Sequence, residues 1–90
     1  ENKYEVSGDN VNQWKKMIDN GEINEAENLL LDEMDYTSRE AVEEAIWFYG
    51  YVSEKGEAFL KEHDYSEEEV FDGLQMLAKR SGYEELIGLL

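Results

Sequence analysis

The stretch "EEAIWFYGYVSEKG", residues 43 to 56, decides the fold of this chain. It places Trp47, Phe48, Tyr49 and Tyr51 within five positions, although the 90-residue chain carries a net charge of -15. Side chains this large and apolar are either buried by other elements or left exposed as a binding surface. The spacing of the neighbouring apolar residues shows what kind of element carries them.

Helical periodicity gives this stretch two apolar faces. At about 100° per residue, one face carries six residues, most of them apolar: Val42, Ala45, Ile46, Tyr49, Val52 and Ser53. Trp47 and Tyr51 point away from that face, among the carboxylates of Glu43 and Glu44. We therefore predict a long helix over residues 38 to 55, threaded through the centre of the molecule.

Two helices are predicted before this stretch. Apolar residues recur at intervals of three and four, and the chain contains no proline. The first helix spans about residues 9 to 20, with Asp9 as its N-cap and Gly21 as the left-handed residue after its end. The second spans about residues 23 to 35, and the short connection makes the pair an antiparallel hairpin. Their predicted inward positions are Val11, Trp14, Met17, Ile18, Ile23, Ala26, Leu29, Leu30 and Met34.

Three shorter helices are predicted after the stretch, over residues 57 to 62, 67 to 81 and 83 to 89. Gly56 separates the first of them from the central helix, and Gly82 ends the second. Their predicted inward positions are Phe59, Leu60, Val70, Phe71, Leu74, Leu77, Ala78, Tyr83, Leu86, Ile87 and Leu90.

Local signals support these helix starts. Residues 37 to 40 and 66 to 69 each match a capping box, with Thr37 and Ser66 as the N-caps. In a capping box, a hydroxyl and a glutamate carboxylate satisfy backbone donors that the first helical turn leaves unpaired. Residues 1 to 8 are polar and lack periodicity, so we expect them to be extended or disordered.

The fold class follows from these elements. Residues 1 to 90 form one domain, since 41% apolar and 12% aromatic residues are enough for a single core and no linker divides the chain. We predict an all-α, compact bundle of five to six short helices built on antiparallel helical hairpins. Gly50 and Gly73 lie inside its helices, where each costs about 1 kcal/mol relative to alanine. We therefore expect another backbone to approach closely at both glycines.

The segment "GEINEAENLL", residues 21 to 30, resembles the turn between the two helices of a tetratricopeptide repeat. The resemblance covers one repeat-length unit, about residues 9 to 37, and is carried by Gly21, Ile23, Glu25 and Ala26. The wider order of "NEAENLL", "AIWFYGYV" and "HDYSEEEVFDGL" resembles an uncharacterised bacterial family of small all-helical, tetratricopeptide-like proteins of unknown function. This resemblance implies an all-helical fold with a tetratricopeptide-like N-terminal hairpin, and it brings no catalytic residues.

The charge balance bears on possible partners. Twenty-three acidic residues against eight basic ones repel phosphate backbones and anionic lipids, so we expect neither direct nucleic-acid binding nor membrane binding. The absence of cysteine fits a reducing cytoplasm, which is the expected location. Because the chain begins with Glu1 rather than methionine, we expect it to be a trimmed form or a fragment of a longer protein.

No set of residues indicates catalysis, a metal site or a cofactor site. His63 is the only histidine and lies beside Asp64 without a marked nucleophile, so we interpret it as a loop residue that bonds locally or caps a helix. The ligand spacing of an EF-hand and glycine-rich phosphate loops are both absent. Glu43 with Glu44, or residues 67 to 69, would supply carboxylates to an enzyme, but solvated helix faces explain them more simply. We therefore predict no catalytic, metal-binding or cofactor-binding residues.

Two functions remain open, with catalysis at a carboxylate site as a third. The leading hypothesis is a non-enzymatic protein-interaction or assembly domain, which binds a partner or a second copy in a groove beside the second and third helices. An acidic rim would favour basic partners. The candidate contact residues are Trp47, Tyr51, Trp14, Tyr36, Glu43 and Glu44. The alternative hypothesis is an acidic mimic of nucleic acid that binds a basic protein. If the third helix is instead covered on both sides, Trp47 and Tyr51 pack within the bundle.

Overall fold

The computed structural model describes residues 9 to 82, which form five α-helices and, within that range, no strand. The helices are α1 (Asp9–Asp19), α2 (Ile23–Asp32), α3 (Arg39–Ser53), α4 (Glu57–Glu62) and α5 (Glu67–Ser81). This confirms the predicted all-α bundle of short helices. The segment 1 to 8, the helix predicted over 83 to 89 and the capping side chain of Asp9 lie outside the described residues.

Left-handed glycines separate the helices where the sequence predicts them. Gly21 (φ 88°) follows α1, and Gly82 (φ 79°) follows α5 and donates its backbone N–H to the Ala78 carbonyl at 3.0 Å. Gly21 has a second reason to be glycine, because the ring of His63 occupies the space that a β-carbon would need. His63 also packs against Phe59, with ring centroids 4.6 Å apart, so it joins the end of α4 to the first hairpin.

One predicted N-cap is wrong by one residue. Ser38, not Thr37, caps α3, and its hydroxyl oxygen accepts the backbone N–H of Ala41 at 3.2 Å. Thr37 donates its backbone N–H and its hydroxyl to the Asp35 carboxylate at 3.0 and 2.6 Å, which lowers the pKa of Asp35. The acidic side chain two residues upstream therefore holds Thr37 in the turn before the helix. At α5 the predicted cap is confirmed, since the Ser66 hydroxyl oxygen accepts the Glu69 N–H at 3.2 Å.

The helix α3 is the central element and packs against both α1 and α5. Five of its side chains are fully buried: Val42, Ala45, Phe48, Tyr49 and Val52. Phe48 was not assigned to the predicted buried face, and Ile46, which was, is half-buried. Phe48 faces α1, where Trp14 packs edge to face against it with ring centroids 6.0 Å apart. The buried part of α3 is thus wider than the periodicity predicted.

The predicted inward position of Phe71 is wrong, because this side chain is 60% exposed. The helix α5 faces the core with Val70, Gly73 and Leu77, which recur at intervals of three and four. Gly73 has no side chain, so the helix can lie directly on the ring of Tyr49. This contact fixes the rotation of α5 and turns Phe71, about 100° further round the helix than Val70, toward solvent.

The helix α2 differs from its prediction in smaller ways. The helix α2 ends at Asp32 rather than at about residue 35, and it buries Ile23, Ala26 and Leu30. Leu29, which was predicted to face inward, is 37% exposed because it lies about 100° from Leu30 on the helix.

The two interior glycines behave differently. Close packing is confirmed at Gly73, where a β-carbon would overlap Tyr49. It is wrong at Gly50, because apart from the adjacent residues and backbone of α3 itself no described atom lies within 4 Å of the place where a β-carbon would stand.

Candidate functional site

The aromatic side chains that the sequence singled out form a pair on α3. The rings of Trp47 and Tyr51 stack with centroids 5.2 Å apart and planes 18° from parallel. Both side chains are half-buried and pack against the margin of the core. The second apolar face of α3 is therefore partly covered by the protein itself.

Asp19 ties this aromatic pair to the end of α1. Its carboxylate accepts the Tyr51 hydroxyl at 2.7 Å and pairs with the Lys55 ammonium at 2.5 Å. These two donors, Lys55 first, lower the pKa of Asp19. The Lys55 ammonium also lies over the rings of Tyr51 and Phe59, 5.0 and 5.5 Å from their centroids. The aromatic pair thus contributes to the packing of α1 against α3.

The other predicted contact residues are dispersed. Trp14 is 5% exposed and belongs to the core, and Tyr36 lies beneath the guanidinium of Arg80, 5.4 Å from it. Glu43 is exposed and pairs with Arg39 at 3.3 Å. Desolvation and the neighbouring Glu40 raise the pKa of the half-buried Glu44. The structure does not bring the six predicted residues together in one exposed patch.

The cleft beside α2 and α3, where the sequence placed a binding groove, is small. It has a volume of about 60 Å³ and lies among Trp14, Leu30, Met34 and Glu44. A space of this size does not admit a helix from a partner.

A larger groove lies between α3 and α5, with a volume of about 440 Å³. We call it the α3/α5 groove; its lining includes Tyr49, Gly50 and Ser53 from α3 and Val70, Phe71 and Leu74 from α5. The exposed ring of Phe71 stands at its edge. Because a β-carbon at Gly50 would meet open space, this glycine leaves the α3 wall of the groove free of side chain.

One end of the α3/α5 groove is fixed by polar contacts. The Ser53 hydroxyl donates to the Glu67 carboxylate at 3.0 Å, which holds the end of α3 against the start of α5. Along the groove wall, the Tyr49 hydroxyl is directed away to the Glu27 carboxylate of α2, to which it donates at 2.6 Å. Burial, followed by this hydrogen bond, raises the pKa of Tyr49.

The chemistry of the α3/α5 groove suits apolar contact. Among its described lining residues, Glu67 and Tyr49 are the titratable ones, and each already makes a hydrogen bond. Within residues 9 to 82, no group of three histidine, cysteine or acidic side chains is arranged to hold a metal ion. The helices of that same range are all too short or too polar to cross a membrane.

Sequence reasoning missed the α3/α5 groove because it placed Phe71 inside the core. The signal that was present lies in the two interior glycines. Gly73 allows α5 to approach Tyr49, and Gly50 leaves the surface beside that contact open. The sequence marked both positions as unusual, but it did not show that their roles differ.

The five helices and the apolar groove define a small all-α helical-bundle protein. A family model described as a family of unknown function, DUF6483, matches residues 1–82, and the chain belongs to that family. The predicted membership in an uncharacterised family is thereby confirmed. Comparison with curated proteins and with solved structures finds no match.

Proposed function

We propose that this protein is a non-enzymatic interaction domain whose α3/α5 groove holds a basic, amphipathic helix of a partner protein. The observation that supports this proposal most directly is Phe71. Exposing an aromatic ring to water is unfavourable, so a partner that covers Phe71, which is 60% exposed at the edge of an apolar groove, gains free energy of binding.

The shape of the α3/α5 groove favours a helix as the occupant. Its walls are two helices that run antiparallel, since Ser53 at the end of α3 bonds to Glu67 at the start of α5. The volume of about 440 Å³ is comparable with that of small-molecule pockets, but the groove is open along one side. Amphipathic helices bind such surfaces by placing an apolar stripe between two helices.

The charge of the protein favours a basic partner. The chain has 23 acidic residues and 8 basic ones, and the ion pairs among residues 9 to 82 use only three of the acidic side chains: Asp19, Glu43 and Glu57. The surplus negative charge of the protein attracts lysine and arginine side chains on the polar face of an incoming helix.

The test is a binding titration with a synthetic amphipathic helix that carries leucines on one face and lysines and arginines on the other. A copy with glutamates in place of the basic residues serves as the charge control. Phe71→Ser should weaken binding of the basic helix about tenfold or more. Leu29→Ser removes the other large exposed apolar side chain among residues 9 to 82, and it should leave the affinity unchanged. Equal loss in the two variants would overturn the proposal.

A second arm of the titration separates this proposal from nucleic-acid mimicry. Binding by mimicry depends on charge and weakens steeply with salt, whereas docking in the α3/α5 groove should survive roughly 0.5 M salt. Trp47→Ala tests the competing aromatic face of α3. If Trp47→Ala weakens binding more than Phe71→Ser does, the partner binds that face and not the groove. Light scattering of the free protein reports whether a second copy is the occupant instead.

The location and origin that we propose go together. We place the domain in the cytoplasm of a bacterial cell. A chain without cysteine fits a reducing compartment, and the helical segments resemble those of an uncharacterised bacterial family. The tetratricopeptide-like character of the hairpin α1–α2 is part of the same proposal, since helical hairpins of that kind bind other polypeptides.

A further inference from the structure

The two ends of the α3/α5 groove differ in what lies beside them. One end is fixed by the hydrogen bond of 3.0 Å between Ser53 and Glu67, at the start of α5. The other end is lined by Leu74, which is half-buried, and Gln75, which is exposed. We call this part of the groove the Leu74 end. It is the part that lies nearer to the point where α5 stops.

Gly82 marks that point. It has the left-handed conformation (φ 79°) that ends a helix. Leu74 stands eight residues before Gly82, which corresponds to about 12 Å along α5. Phe71 stands three residues further back, at about 16 Å from Gly82. Residues 83 to 90, which the structure does not describe, are thus attached to the protein about 12 Å from the Leu74 end.

The sequence of residues 83 to 90, "YEELIGLL", suits an apolar groove. Four large apolar residues recur at the spacing i, i+3, i+4 and i+7, which is one face of a helix: Tyr83, Leu86, Ile87 and Leu90. Glu84 and Glu85 lie off that face. A helix of eight residues is about 12 Å long, which matches the distance from Gly82 back to Leu74 and does not extend to Phe71.

The attachment favours this segment over a separate molecule at the Leu74 end. A tethered segment is present at an effective concentration in the millimolar range, so even a small contact area is occupied. A second copy of the chain is disfavoured, because two molecules with a net charge of -15 each repel one another. The occupant that the groove and the tether favour together is the chain's own segment.

We propose that residues 83 to 90 dock as a short helix on the Leu74 end of the α3/α5 groove of the same chain and compete there with the partner helix. The competition rests on the proposed function, whereas the contact itself rests on the groove and the tether. Phe71 stays free in this arrangement, so an incoming helix contacts it first. Glu84 and Glu85 are repelled by the acidic protein, which makes the contact weak enough for a basic helix to displace it.

The contact is tested without any partner by paramagnetic broadening in NMR. The chain has no cysteine, so Gly88→Cys in the isotope-labelled full chain supplies a single attachment site for a nitroxide label. On a helix this position points away from the apolar face, so the label leaves the contact intact. The amide signals of Gly50, Leu74 and Gln75 should broaden, whereas that of Gln13 on the exposed face of α1 should stay sharp. Equal broadening at all four amides would overturn the proposal.

Two matched leucine variants of the labelled chain show whether the apolar face makes the contact. Leu86→Ser removes a residue of that face and should restore sharp signals in the groove. Leu89→Ser makes the same change about 110° away from the centre of the face, and it should leave the broadening as it was. If the two variants behave alike, the segment lies near the groove without docking in it.

A mixing experiment tests whether the segment docks in its own chain. Nitroxide-labelled chains without isotope are added to isotope-labelled chains that carry no nitroxide. The groove signals should stay sharp in this mixture, because each groove holds its own segment. Broadening in the mixture would place the segment in a second copy and would overturn the contact within one chain.

The competition is measured with the basic amphipathic helix of the earlier titration. Leu86→Ser should bind this helix about threefold to tenfold more tightly than the parent does, because its groove is free, whereas Leu89→Ser should stay within about twofold of the parent. An unchanged affinity in Leu86→Ser would overturn the competition.

The two proposals fail in different ways. If the groove signals broaden but the basic helix binds neither the parent nor Leu86→Ser, the contact stands and the proposed function falls. If Phe71→Ser weakens helix binding while the label on residue 88 leaves the groove signals sharp, the proposed function stands and the contact falls.

Discussion

The backbone of Gly73 in α5 lies directly against the ring of Tyr49 in α3. A β-carbon at position 73 would stand 2.6 Å from the Tyr49 hydroxyl oxygen, well inside van der Waals contact. Tyr49 thereby joins three helices: its ring lines the α3/α5 groove, and its hydroxyl donates to the Glu27 carboxylate of α2 at 2.6 Å. One residue pair thus sets the rotation of α5 and the position of the α3/α5 groove.

The first prediction concerns the two interior glycines. Gly73→Ala should destabilise the fold by about 1 to 3 kcal/mol, because overlap with Tyr49 outweighs the gain in helix propensity. Gly50→Ala should stabilise it by about 0.5 to 1 kcal/mol, because its β-carbon meets open space. Urea denaturation of both variants measures the difference. A Gly73→Ala variant as stable as the parent would show that α5 does not rest on Tyr49.

The second prediction compares two large apolar residues of α5. Leu77 is fully buried, so Leu77→Ala should cost about 2 to 5 kcal/mol of unfolding free energy through the lost burial and the cavity. Phe71 is 60% exposed, so Phe71→Ala should change it by less than about 0.5 kcal/mol. Chemical denaturation midpoints check both values. A large loss in Phe71→Ala would return that ring to the core and remove the main support for the α3/α5 groove.

The sequence predicted the helices well because their signals are local. Apolar periodicity, left-handed glycines such as Gly21 and the cap at Ser66 depend on residues within one or two turns. It failed for Phe71 because the rotation of α5 depends on the contact between Gly73 and Tyr49, which are far apart in the chain. It failed for Thr37 because the Asp35 carboxylate accepts the backbone N–H and the hydroxyl of Thr37 and holds this residue in the turn before the helix.

The candidate site was less predictable for a related reason. The sequence marked Trp47 and Tyr51 as a possible surface, but their exposure is set by Asp19 at the end of α1, which binds the Tyr51 hydroxyl. Grooves and clefts form between helices that are distant in sequence. No local pattern reports how closely α5 approaches Tyr49 of α3, so the α3/α5 groove was not predicted.

The third prediction concerns two buried tyrosine hydroxyls. Tyr49→Phe should destabilise the protein by about 1 to 3 kcal/mol, because Glu27 loses a charge-assisted hydrogen bond in a half-buried place. Tyr65→Phe should be neutral or slightly stabilising, because the hydroxyl that it removes has no partner among the described residues. Thermal unfolding of the two variants and the parent in the same buffer measures the change in stability of each variant. Equal losses would mean that the Tyr65 hydroxyl is satisfied in solution.

The fourth prediction is a loss of stability at high pH. Burial and Glu27 raise the pKa of Tyr49 and of Tyr65 above the ordinary value of 10.0. Below that value both the folded and the unfolded chains keep these protons, so the two hydroxyls cause no change with pH. Above it the unfolded chain loses them while the folded chain retains them, so unfolding becomes more favourable as the pH rises.

The slope grows as the unfolded chain loses these protons, and above about pH 11 it approaches about 1.4 kcal/mol per pH unit for each tyrosine and about 2.7 kcal/mol per unit for the two together. Urea midpoints measured between about pH 9 and 11 cover the onset of this slope, over which each tyrosine contributes about 1.4 kcal/mol in total. Comparison with Tyr49→Phe isolates the tyrosine contribution, because lysine titration is common to both proteins. Tyr49→Phe keeps Tyr65 and should show about half of the tyrosine contribution to the slope. If the parent and the variant lose stability at the same rate, Tyr49 ionises as freely in the folded protein as in water, and its place between α5 and Glu27 is wrong.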